Sequence, residues 1–158
     1  MRSLPIVQNA TLSAATISTE IFAVIAPIRP DWNSSNTRLV TFPEGLTNTM
    51  MGLFDNRTPN DESQALVIKI FGAQTELFMN RQIEIEAMVT LAEHGVIAQR
   101  CLIQFNNGII YEYVPGIPCL PSDLIKEHIA PLVAAKMGHM HSIPMEQNKQ
   151  PFIVTLLQ

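Results

Sequence analysis

The chain has 158 residues, a formal net charge of −4 and a hydrophobic content of 47%. That length supports one domain with a sizeable core, and the scattered lysines and arginines give no basic footprint for nucleic acid or an anionic membrane surface. Cys101 and Cys119 form neither a disulfide scaffold nor a metal-site spacing, which fits reduced thiols in a cytoplasmic protein.

Residues 1–36 read as a poorly ordered N-terminal extension. Ser, Thr, Ala and Asn are frequent, and Pro27 and Pro30 break any helix that forms there. The longest apolar run in this part, Ile21 to Ala26, is too short to span a bilayer, so no stable membrane insertion is expected. The pattern changes at Thr37. Thr37 to Phe42 and Thr49 to Phe54 are rich in strand formers, and the segment from Pro43 to Asn48 between them carries turn chemistry. Asp55 to Gln64 is a polar loop. Ala65 to Phe71 is an apolar run interrupted only by Lys69, as in a buried strand.

A helix follows. Asn80 suits its N-cap, Ile83, Ala87 and Leu91 recur with Met88 on one apolar face, and Gly95 is a natural stop. Arg100 to Phe105 and Ile109 to Val114 are two further strands. Asn106-Asn107-Gly108 joins them with a strong hairpin-turn signal. Pro115-Gly116-Ile117-Pro118 reads as a hinge. The last helix runs from about Glu127 to His141, with Ile129, Leu132, Val133, Met137 and Met140 as its apolar stripe and Pro131 tolerated in the first turn. Pro144 stops it, and an apolar stretch, Phe152 to Leu157, lies in the tail.

The expected fold class is α+β: a five-stranded antiparallel sheet with one helix after the third strand, the layout of a protein-kinase small lobe. Residues 37–116 would form this nucleotide-binding lobe. A glycine in the first hairpin lets backbone amides approach phosphates, and Gly45, Thr47 and Asn48 supply that freedom with a hydroxyl and an amide. A lysine within the third strand, Lys69, can reach the α- and β-phosphates. Glu84 is the best candidate to hold that lysine as an ion pair, with Glu86 second. The backbone of Glu112, Tyr113 and Val114 would face the adenine. Each feature alone has an ordinary structural explanation; their order and spacing favour the functional one.

Residues 42 to 143 resemble the N-terminal part of the ethanolamine kinase family, relatives of choline kinase. The matching segments are Gly45 to Thr49, Phe71 to Leu77, Arg81, Glu84-Ile85, Glu93-His94-Gly95, Phe105 to Gly116 and Ala134 to His141. The resemblance implies ATP-dependent phosphorylation of ethanolamine with Mg2+, the first step toward phosphatidylethanolamine. It puts Gly45, Thr47 and Asn48 over the phosphates and pairs Lys69 with Glu84. Many members carry arginine where Lys69 stands, and arginine's planar fork binds phosphate differently. The family's catalytic aspartate and magnesium-binding residues belong to a helical lobe that follows the helix ending near His141.

No histidine here is followed two residues later by aspartate, and no aspartate is followed by phenylalanine. Residues 117–158 therefore read as the hinge, first helix and tail of a truncated C-terminal lobe, and the chain is expected to be inactive alone. The alternative is a non-catalytic fragment that associates with a full-length kinase through the helix stripe and the tail.

Overall fold

The computed structural model describes residues 5–43, 47–75 and 79–144. The alternating stretches from Thr37 onward fold as consecutive antiparallel strands: β2 Thr37–Phe42, β3 Asn48–Asp55 and β4 Leu66–Phe71. Helix α2, Arg81–Glu93, comes next, followed by β5 Cys101–Phe105 and β6 Gly108–Glu112. Asn80 caps α2 by accepting from the amides of Gln82 and Ile83, each at 3.1 Å. Past its end Gly95 takes a left-handed φ of 66°, a conformation that glycine adopts without a Cβ clash. Helix α3, Ala130–Ser142, lies beyond a short 3-10 turn at Pro121–Asp123.

With β1, Ile6–Gln8, the sheet has six strands in the order β1-β5-β6-β4-β3-β2. The expectation of five antiparallel strands therefore needs correction. The additional strand, β1 Ile6–Gln8, pairs in parallel with β5 and comes from the segment read as a poorly ordered extension. That segment also supplies helix α1, Ile17–Ile25. Ile17, Ile21, Val24 and Ile25 recur at the spacing of one helix face, and all four are buried. Pro27 and Pro30 fall after this helix and end it, rather than breaking it.

The main core forms between this N-terminal part and one face of the sheet. Leu12, the α1 face and Trp32 pack on Leu53, Leu66, Ile68, Ile103 and Ile110. A smaller cluster lies on the opposite face, where Ile85 and Val89 of α2 meet Cys101 and Ile109. Leu66 and Ile68 face the main core and Val67 is buried on the opposite face, which explains why Leu66 to Ile68 reads as a continuous apolar run.

Polar contacts seat the N-terminal part. Asn107 accepts from the Leu12 amide at 3.0 Å and donates to the Leu12 carbonyl at 2.7 Å. The Asn106 amide N–H donates to Ala10 O at 2.9 Å. The Asn-Asn-Gly turn is therefore a dock as well as a hairpin. Asn107→Ala should lower stability by roughly 1–3 kcal/mol, because both Leu12 backbone groups lose their partner. A drop in the urea midpoint at constant slope would show this, and an unchanged midpoint would remove Asn107 as an anchor.

Two further expectations change. On α2, Ile83 is exposed, and Ile85 and Val89 face the core instead. On α3, no residue is buried: Leu132, Met137 and Met140 remain exposed, and Lys136 holds the helix to the Gly95 carbonyl at 3.0 Å. Cys101 is buried while Cys119 is exposed. No helix among the described residues is long and apolar enough to cross a membrane. The tail, residues 145–158, lies outside the described residues.

Candidate functional site

Residues paired across a sheet point to the same face. Phe42 stands opposite Met50, Met50 opposite Lys69, and Lys69 opposite Ile109. Lys69 therefore points away from α1, toward the side that carries α2. There its ammonium pairs with Glu84 in a short contact. Both side chains are largely shielded, 18% and 23% exposed. Glu84 also accepts from Arg81 at 2.7 Å. Burial pushes the Glu84 carboxyl up, but the hydrogen bonds from Lys69 and Arg81 outweigh it and hold the group below its ordinary value. Two cations share one carboxylate, so the cluster keeps an uncompensated positive charge suited to an anion. Glu86, the second candidate, instead accepts from Gln82 at 3.0 Å.

An open cleft of about 380 Å³ adjoins this pair. Ala87, Met88 and Leu91 line it with Ile109 and Tyr111. The apolar α2 face legible in the sequence thus borders the cleft next to Lys69 more than it fills the core. Burial, with the Glu84 charge nearby, pushes the Tyr111 phenol up to about 12, so it stays neutral at physiological pH.

The other end of the same face is aromatic. Phe42 stacks on Tyr113 with centroids 6.5 Å apart, and Phe54 meets Tyr113 edge-on at 5.1 Å. The Arg38 guanidinium lies 4.4 Å over Phe54. Gly52 makes room for these rings, since a Cβ there would lie 2.8 Å from Phe42 Cζ. Gly52→Ala should cost about 1–3 kcal/mol through overpacking. Urea unfolding checks this, and a variant as stable as the parent would mean that the rings swing aside freely. Phe42 and Phe54 were not singled out from the sequence. Their strand parity with Lys69 was the available signal.

The remaining predicted residues are placed as follows. Gly45 lies outside the described residues. Thr47 precedes β3, and its hydroxyl accepts from the Asn48 side-chain amide at 3.3 Å. Asn48 opens β3, and its Oδ1 accepts from the Gly72 amide and from Arg81, both at 3.4 Å. The Glu112 side chain pairs with Arg100 at 3.0 Å, and those hydrogen bonds hold its carboxyl below the ordinary value. The Glu112 amide donates to Arg100 O at 3.1 Å and the Tyr113 amide to Ala65 O at 3.0 Å. Of the Glu112, Tyr113 and Val114 amides, only that of Val114 has no backbone acceptor among the described residues.

Comparison with known proteins supplies the context for this arrangement. The family model for choline/ethanolamine kinase matches residues 39–158. A probable ethanolamine kinase of Nematostella vectensis is 31% identical over 150 residues, 94% of this chain and 42% of that protein. Ethanolamine kinase 1 of Homo sapiens is 29% identical over 121 residues, 77% of this chain and 26% of that protein. Among solved structures, an ethanolamine kinase of Plasmodium vivax superposes with a TM-score of 0.69 at 18% identity, over 94% of this chain and 39% of that one. A choline kinase of Cryptosporidium parvum gives 0.67 at 21% identity, over 85% and 39%. The two structures share the fold, and the chain spans less than half the length of each of these relatives. By its sequence match across most of its length, the chain belongs to the choline/ethanolamine kinase family.

Proposed function

We propose that this chain carries the nucleotide-binding lobe of an ATP-dependent kinase acting on ethanolamine, whose product, phosphoethanolamine, enters phosphatidylethanolamine biosynthesis. The observation that carries the reading is the Lys69–Glu84 pair on the sheet face opposite α1. A cation held by a carboxylate at that point can meet the α- and β-phosphates of a nucleotide lying along the face. Thr47 and Asn48 would meet the phosphates, the role that the sequence also gives Gly45. The Val114 amide, with no backbone acceptor among the described residues, would be the donor to the adenine. Ethanolamine rather than choline follows the names of the matching relatives, Ethanolamine kinase 1 among them.

Mg2+ belongs to the family's chemistry, but the described residues contain no cluster of His, Cys, Asp and Glu able to hold a metal ion. Transfer depends on such ligands and on a positioned base. We expect the chain to bind ATP without transferring its phosphate, as its resemblance to the N-terminal part of the family implies. The test is ethanolamine phosphorylation by the purified chain, run beside titration with a fluorescent ATP analogue. Binding without turnover is the expected result. Turnover abolished by Lys69→Ala would place the reacting groups within this chain and refute the inactive-lobe reading, and the absence of binding would refute the nucleotide reading.

A second reading, association with a full-length kinase, is favoured by the exposed stripe of Leu132, Met137 and Met140 on α3. Size-exclusion of the chain mixed with a full-length ethanolamine kinase checks it. Two unshifted peaks would remove it.

A further inference from the structure

We propose that Arg81 is a positioning residue that ties the Lys69–Glu84 pair to the phosphate-side end of the sheet through Thr75 and Asn48. This rests on the reading that the face binds ATP, and it adds a role for a residue to which the sequence assigned none.

Arg81 is the first residue of α2, and its guanidinium divides between two structures. One terminal nitrogen donates to Glu84 at 2.7 Å. The other donates to the Thr75 hydroxyl in a short contact and reaches Asn48 Oδ1 at 3.4 Å. The group lies 4.1 Å from the Phe71 ring centroid, and its Nε is buried with no acceptor. The side chain is thus held by contacts on both sides and is 15% exposed.

The acceptor side is also fixed. Thr75 is 5% exposed, and its hydroxyl donates to the Gly72 carbonyl at 2.8 Å, leaving its lone pairs for Arg81. The Gly72 amide in turn donates to Asn48 Oδ1. A Cβ on Gly72 would collide with the Thr47 carbonyl oxygen. The turn from Gly72 to Thr75 is thus wedged against Thr47 and Asn48, the residues closest to the expected phosphates, and Arg81 is its link to Glu84. Asn48, given a phosphate role from the sequence, serves here as an acceptor in this linkage.

A planar fork can serve both sides at once, whereas a lysine ammonium is a single point charge on a flexible stem. The roles of charge and of shape are therefore separable. Arg81→Lys and Arg81→Met should each weaken ATP binding by about tenfold, the equivalent of one charge-assisted hydrogen bond, and leave adenosine binding within about twofold. Thr75→Val should reproduce part of the ATP loss. Wild-type ATP affinity in Arg81→Lys would mean that charge alone matters, and parallel losses for ATP and adenosine would mean a general structural role. Either outcome overturns the proposal.

A second measurement does not depend on nucleotide. Hydrogen exchange at the Asn48 and Gly72 amides should accelerate about tenfold in Arg81→Met, with the Val89 amide in mid-α2 unchanged. Unchanged exchange at both amides overturns the linkage. A chain that binds no nucleotide but shows this acceleration would refute the ATP reading and retain the linkage.

Discussion

A chain lacking residues 1–36 is expected not to fold. Those residues bring Leu12, Ile17, Ile21, Val24, Ile25 and Trp32 into the main core, all nearly inaccessible to solvent. Each such side chain contributes roughly 1.5–3 kcal/mol by burial, so the six together match or exceed the roughly 5–15 kcal/mol that separates a typical domain from its unfolded state. Their removal would also uncover Leu66, Ile68, Ile103 and Ile110 on the sheet face they protect. It would leave β5 as an unpaired edge once β1 is gone, and an apolar edge strand templates aggregation. The truncated chain should appear in the insoluble fraction, or in solution with strong dye binding and no cooperative melt. A milder form of the test is Ile25→Ala, which should cost about 2–5 kcal/mol in urea unfolding. A truncated chain that melts cooperatively within a few degrees of the parent would mean that the segment is dispensable for folding.

The contrast shows which physical signals a single sequence carries. β2 to β6 were legible because each is a short run of strand formers bounded by turn residues, and local chemistry decides such elements. Asn80 and Gly95 marked the α2 ends for the same reason. For the N-terminal segment, composition points the wrong way. Among the described residues, Ser18 and Thr19 lie at exposed positions of α1, and Ser13 and Thr16 exchange hydrogen bonds before the helix. The spacing of Ile17, Ile21, Val24 and Ile25 held the correct answer. β1 was not legible at all, because a three-residue strand has no period and its pairing with β5 spans most of the chain. At the site, Lys69 and Glu84 could be named because a charge in an apolar strand and a carboxylate early in a helix stand out locally. The linkage also joins Arg81 to Asn48, 33 residues earlier, and only the folded register brings those two together.

Lys69→Ala should reduce ATP affinity by roughly 10–100-fold, the loss of a charge-assisted contact worth about 1.5–3 kcal/mol. The same change should barely alter stability. Glu84 keeps Arg81 at 2.7 Å, so no carboxylate is stranded when the lysine is removed, and the pair is partly open to solvent. Binding and folding are therefore separable at this position, which makes it a sharper probe than a core residue. Lys69→Arg should retain ATP binding within a few-fold, because the cation and the Glu84 partner both persist. The pH dependence follows from Glu84. Burial opposes its charge, but the hydrogen bonds from Lys69 and Arg81 prevail, so its carboxyl titrates lower folded than unfolded. Its stabilising effect is present above the unfolded value and is lost as pH falls through the lower folded value. Without Lys69 one donor is gone, burial weighs more, and the Glu84 carboxyl should titrate higher than in the parent, which carboxyl-carbon NMR would read. If Lys69→Ala binds ATP as tightly as the parent while Glu84 titrates higher, the ion pair is real and the nucleotide lies elsewhere. If Glu84 does not respond either, the two side chains are not coupled in solution, and the proposed site loses its central contact.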